Sequence, residues 1–184
     1  RIAHWNLAVL ASALLPLIDA DTGKAESIAT EALNTFPRYF QIFWREEMAA
    51  KFGIQQSREE DEEWIADFLQ TLEETRQDYT TAFTALETRI PEGAGTWAQR
   101  WQARCEEEGG LEAARARMKT VNPLVIPRNY RMEEVLQAAE EGELNPALAF
   151  LEELRQPFDR TRDRGEDAQP PPEGTPRVVT YCGT

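Results

Sequence analysis

The sequence predicts an all-α protein that ends in an extended C-terminal arm. Three observations carry this. Apolar residues recur at steps of three and four along most of the chain. Gly, Pro, Asn and Asp fall between those runs, where helices should start and stop. The one β-like run, "RVVTYCGT", closes the chain behind a polar, proline-rich stretch. Residues 1–158 are therefore read as a helical region and 159–184 as the arm. With 184 residues, 41% of them hydrophobic, a sizeable core is within reach.

The first helix is expected over residues 2–18, with Trp5 at its start and Leu7, Leu10, Leu14, Leu15 and Ile18 at helical spacing. Asp19 to Gly23 read as a turn. A long helix is expected over 24–52, one face lined by Ile28, Ala32, Phe36, Phe40 and Phe43, and Gly53 stops it. Pro37 lies inside that run and predicts a kink or two helices. Ser57 and Glu60 stand at capping-box spacing for a helix over 58–76, whose apolar stripe is Trp64, Ile65, Phe68, Leu69 and Leu72. Asp78 should cap a helix over 79–88, and Thr96 with Gln99 one that runs to Glu108. A short helix follows from 111 to about 119. Asn129 is expected to cap 130–141, and Asn145 to cap a last helix that Pro146 opens and that ends before Pro157. "DRTRDRGEDAQPPPEGTP" then offers little to bury.

A net charge of −13 argues against binding to nucleic acid or to an anionic membrane surface. No run of roughly 18 apolar residues predicts a membrane span. "RIAHWNLAVLASALLPLIDA" lacks the cationic start of a signal peptide, and Arg1 in place of Met predicts a processed or partial polypeptide. Two cysteines, Cys105 and Cys182, fit a reducing compartment better than a disulfide scaffold.

Few residues invite chemistry. Asp21-Thr22-Gly23 is the aspartic-protease tripeptide, but it stands once and between helices, so a connecting turn is the expectation. "GAG" at 93–95 lacks the lysine and strand of a phosphate loop. The acidic runs 59–63 and 106–108 spread around helices and read as solvated faces. His4 should pack or cap. Cys105 shares a helix face with Trp97 and Trp101 and should be a buried, inert thiol. Cys182, third from the end on the arm, is the redox candidate. No catalytic, metal or cofactor-binding residue is assigned.

"VNPLVIPRNYRMEEVLQAAEEGE", residues 121–143, interrupts the helices with two prolines and a basic run. The residues before Pro123 and Pro127 favour extended backbone. Leu124, Val125 and Ile126 can then anchor in a groove, while Arg128 pairs with a carboxylate or with helix carbonyls. The segment reads as a structural clamp.

The same stretch resembles the C-terminal signature of the selenoprotein O (YdiU) family, matched by Asn122, Pro123, Arg128 and Asn129. Trp5, Asn6 and Leu7 are similar to that family's Trp-Asn-Leu helix. "MAAKFGI" resembles its Met-x-x-Lys-Leu-Gly-Leu, with Phe52 in place of Leu. "PPP" at 170–172 and the final "YCGT" are similar to its tail. The resemblance implies a protein-kinase-like parent that transfers AMP from ATP to protein hydroxyl groups with a divalent metal such as Mg. Its catalytic and nucleotide-binding residues would precede residue 1. This chain would be the later part of the C-terminal lobe plus a helical extension. Its partners would be the upstream kinase-like lobe and the parent's protein substrates. The resemblance also implies a cytoplasmic protein if bacterial, mitochondrial for eukaryotic relatives. Cys182 would stand at the family's selenocysteine position and join an upstream cysteine, a role that does not transfer to Cys105. The alternative is a stand-alone acidic helical interaction module.

Overall fold

The computed structural model describes residues 2–176, and the expectations for Val178, Val179, Tyr181 and Cys182 lie outside those residues. Eight α-helices occur among the described residues: α1 (Ile2–Ile18), α2 (Thr22–Lys51), α3 (Asp61–Thr75), α4 (Tyr79–Leu86), α5 (Gly95–Glu107), α6 (Leu111–Val121), α7 (Asn129–Glu140) and α8 (Asn145–Arg155). A single 3-10 turn, Gly165–Ala168, follows, and no strand occurs among the described residues. The all-α reading holds.

The chain divides into two compact units, one ending at Glu47 and one starting at Met48. In the first, α1 is 17 residues without one charged side chain, yet none of its residues is buried. Leu7, Leu10, Leu14 and Ile18 line a groove of about 550 Å³ with Ile28, Phe36 and Phe43 of α2. Trp5, Val9 and Leu17 are exposed as well. His4 packs its ring 5.8 Å from Phe36. Asp21 ends the intervening turn: its Oδ1 accepts from the Lys24 N–H at 2.9 Å, so the Asp-Thr-Gly tripeptide is a helix start. The two-helix alternative at Pro37 is not what forms. Residues 22–51 make one helix: proline's fixed φ is helical, although its ring removes one bond and crowds the carbonyl of the preceding turn.

In the second unit α3 packs on α5, α5 and α4 on α6, and α7 on α8. Phe52, fully buried, is the hub of an aromatic core. Its ring centroid lies 4.8 Å from Trp64, 5.0 Å from Phe68 and from Phe83, and 5.9 Å from Trp101, all in tilted or edge-on arrangements. A smaller core of Val125, Val135 and Phe150 sits under α7 and α8.

Four caps differ from expectation. Asn145 is the first residue of α8, with Leu144 at the cap position and no side-chain capping bond. Ser57 and Glu60 make no capping box. Asp61 folds back instead, its Oδ2 accepting from the Arg58 N–H at 2.8 Å. Thr96 does not cap α5, which starts one residue earlier at Gly95. Asn129 is the first residue of α7, exposed and without a capping bond, while Arg128 holds the extended cap position. The Asp78 cap does form, to the Thr81 N–H at 2.9 Å.

Candidate functional site

Of the family-like residues of the second unit, Asn122 meets the "MAAKFGI" stretch at one turn, "KFGIQQ" at 51–56. A helix end leaves carbonyls without donors, and a buried end needs side chains to supply them. Here Asn122 Nδ2 donates to the Lys51 carbonyl at 2.8 Å. Trp101 Nε1 donates to the Phe52 carbonyl at 2.9 Å, and Arg117 Nε to the Gly53 carbonyl at 2.6 Å. The next two N–H groups, of Gln55 and Gln56, donate to the Glu108 carboxylate at 2.7 and 3.3 Å. Arg104 Nη2 donates to the Gln56 carbonyl at 2.9 Å. Gly53 has φ +75°, and a Cβ there would lie 2.2 Å from the Ala114 carbonyl oxygen. Only glycine permits that approach of the turn to α6.

Arg104 is the electrostatic centre beside this turn. It bonds Asp61 through Nε at 2.9 Å, Glu107 through Nη1 at 3.0 Å and Glu108 through Nη2 at 3.2 Å. Asp61 is 1% exposed and also accepts from Trp64 Nε1 at 3.1 Å. The two acidic runs are thus not wholly solvated faces. One acid of the first and two of the second meet around the chain's own guanidinium. Burial pushes the Glu108 carboxyl up, but the Gln55 and Gln56 N–H groups and Arg104 outweigh it and hold it below the usual range.

Residues 122–128 join α6 to α7. Asn122 is buried and caps the end of α6. Pro123 is half-buried. The Leu124 N–H donates to the Pro157 carbonyl at 2.7 Å, and Val125 enters the smaller core. Arg128 makes a two-pronged bond to Asp78, 2.8 Å on each arm, and is itself buried. That bond, more than any other contact, holds the Asp78 carboxyl below the usual carboxylate range. Trp5 and Asn6 stand exposed on α1 in the first unit, and Asn129 stands exposed at the start of α7 in the second.

The arm buries more than its composition suggested. Arg160 grips Glu87 through Nε and Nη2, and Nη2 also donates to the Asn122 carbonyl. Arg164, 6% exposed, bonds Glu153 and the Gln156 and Asp159 carbonyls. Arg131 reaches Asp167 at 2.8 Å. Arg104, Arg117, Arg160, Asp61 and Glu108 were not singled out from sequence. Each has a partner far along the chain, Asp61 with Arg104, Gln55 with Glu108, Gly53 with Arg117 and Glu87 with Arg160, and a lone charge in a charged run carries no signal of it.

Cys105 is fully buried, and burial pushes its thiol up to about 11. The donor set does not suit Mg-ATP. Among the described residues no three His, Cys, Asp or Glu side chains are placed to share an ion, and the acids that do converge surround Arg104.

A family model described as protein adenylyltransferase SelO matches residues 1–94, just over half of the chain. The chain belongs to the SelO family. Among its relatives, the protein nucleotidyltransferase YdiU of Geobacillus kaustophilus is 38% identical over 193 residues, covering all of this chain and 40% of the relative. Its counterparts in Cereibacter sphaeroides and Teredinibacter turnerae are 38% identical over 196 residues and 34% over 194, with the same coverage. This SelO chain therefore spans about two-fifths of the length of the curated relatives it matches. The turn at 51–56 and its SelO-like "MAAKFGI" sequence fall inside the matched region, whereas the clamp at 121–129 lies beyond it.

Proposed function

We propose that this chain is the C-terminal, non-catalytic region of a SelO protein that transfers AMP from ATP to protein hydroxyl groups. Its task is structural: the second unit is a rigid buttress, and the first supplies an apolar seat for the kinase-like lobe of the same polypeptide. One observation carries the reading. A helix apolar on all sides belongs inside a larger core, and α1 has no charged side chain and no buried residue. The titratable groups agree. Asp78 and Glu108 are held ionised by their partners, and the Cys105 thiol stays protonated, so none is poised for proton transfer near neutral pH. ATP and Mg would be held by residues outside this chain. Cys182 would be a redox point on the arm, closing a disulfide with an upstream cysteine of the parent.

Labelled-ATP transfer by the full-length protein, beside this chain alone, tests the proposal. The full-length protein should label a protein acceptor and the chain alone should not. Calorimetric titration of the chain with ATP and magnesium should show nothing below the millimolar range. Micromolar ATP binding by the chain would overturn it.

A further inference from the structure

We propose that a cleft in the second unit, between the α3–α4 corner and the proline strap 170–173, docks an acidic peptide segment of a partner protein. The cleft measures about 760 Å³. Its floor is apolar, formed by Phe68, Ala82 and Ala85, and Pro170 and Pro171 make one wall. A floor and wall of this kind suit an extended peptide that lays down one or two apolar side chains.

The rim supplies the charge preference. Arg76 and Arg89 both line the cleft. The other arginines described above are committed: Arg104, Arg128, Arg131, Arg160 and Arg164 each pair with a carboxylate of this chain, and Arg117 bonds the Gly53 and Glu108 carbonyls. Arg76 and Arg89 make no ion pair or hydrogen bond through their side chains among the described residues. Two uncommitted guanidiniums beside one cleft, in a chain of net charge −13, mark it for carboxylates. A long polyanion would be repelled by the rest of the surface, so a short acidic segment fits best.

The backbone at Arg76 is the second, independent observation. It closes α3 in the left-handed conformation, with φ 53°, and is the one non-glycine residue with positive φ among the described residues. Glycine is the residue that adopts this position freely. An arginine there bears backbone strain while its side chain makes no hydrogen bond or ion pair among the described residues, which is the pattern expected of a binding residue. Asp78 also lines the cleft but is already taken by Arg128. Glu173 on the strap directs the ligand's carboxylates to the opposite, arginine side, with its apolar residue against the prolines.

Fluorescence anisotropy of the 184-residue chain with a fluorescein-labelled Glu-Glu-Phe-Pro-Glu-Glu peptide tests the site. Saturable binding in the micromolar range is expected, with loss of about tenfold or more in affinity for Arg76→Gly and for Arg89→Gln, each of which removes one charged hydrogen bond. Arg76→Gly also relieves the backbone, so its urea midpoint should match or exceed that of the original chain, and loss of binding at an unchanged midpoint reads the side chain. The matching Gln-Gln-Phe-Pro-Gln-Gln peptide should not bind. Four outcomes overturn the proposal: no saturable binding, variants that bind as tightly as the original chain, equal weakening by the distant Lys119→Gln, or displacement by millimolar pyrophosphate, which would make this a phosphate site.

Discussion

Gly53→Ala is the sharpest test of how the second unit is assembled. The substitution adds one methyl group where the chain has φ +75° and where the Ala114 carbonyl oxygen, carbonyl carbon and Cα all lie within 2.8 Å of the new atom. The left-handed backbone alone costs an L-residue roughly 1–2 kcal/mol. The steric part cannot be absorbed by a side chain, because the obstacle is the backbone of α6. Restoring ordinary contact requires α6 or the turn to move by about 1 Å, a strain of the size seen on overpacking a core, roughly 1–3 kcal/mol. The same movement stretches the 2.6 Å bond from Arg117 to the Gly53 carbonyl. A loss of about 3–5 kcal/mol is expected, a large share of the ~5–15 kcal/mol that holds a domain together. Urea unfolding followed by tryptophan fluorescence reads it, since Trp64 and Trp101 both touch Phe52. Gly142→Ala is the control: its φ is +94° but nothing lies within 4 Å, so only the backbone cost applies. If Gly53→Ala costs no more than Gly142→Ala, the close approach to α6 is not what the glycine is for.

Arg128→Ala should destabilise the chain by roughly 2–4 kcal/mol, because it leaves the half-buried Asp78 without its partner. A double-mutant cycle with Asp78→Asn should return a positive coupling, and purely additive losses would refute the pairing. Because folding depresses the Asp78 carboxyl, its contribution is complete above its ordinary pKa and is lost as pH falls through the lower folded value. The chain with Asp78→Asn should therefore show a flatter loss of urea stability on acidification below about pH 4. Cys105, fully buried and with a thiol pKa of about 11, should resist iodoacetamide at pH 8 until urea unfolds the chain. Labelling in the native state, read by mass spectrometry, would mean that the aromatic core opens more readily than its packing implies.

Much of this architecture is legible in the sequence because helices write their apolar faces locally. α6 and α8 run within two residues of their expected ends, and Asp78 caps α4 as its spacing foretold. What fails is instructive. Asn129 looked like a cap, but the chain turns helical one residue earlier, with the Arg128 side chain drawn away to Asp78. The acidic run at 59–63 looked uniformly solvated, yet Asp61 is buried because Arg104, 43 residues on, folds against it. The Arg128 clamp was readable as a basic side chain in want of an acid; which acid was not, since 50 residues separate the pair. Pattern reports which way a residue faces along its own helix. Pairing depends on which helices meet, and short-range spacing holds no record of that.

The arginines of the arm bear on where this chain can be cut. Glu87 follows α4 with only 7% of its surface exposed, and it pairs with Arg160. Arg160 also supplies the donor for the Asn122 carbonyl, at the hinge between α6 and the clamp. A truncation just past α8 would look harmless, since it removes a polar and proline-rich stretch. It would in fact strand a buried carboxylate and a buried carbonyl inside the part that remains, the kind of defect that costs more than the lost contact itself. A shortened version that stops after Arg164 keeps both groups partnered. The boundary of the folded body is set by where its buried charges find their counterparts, further along the chain than the last helix.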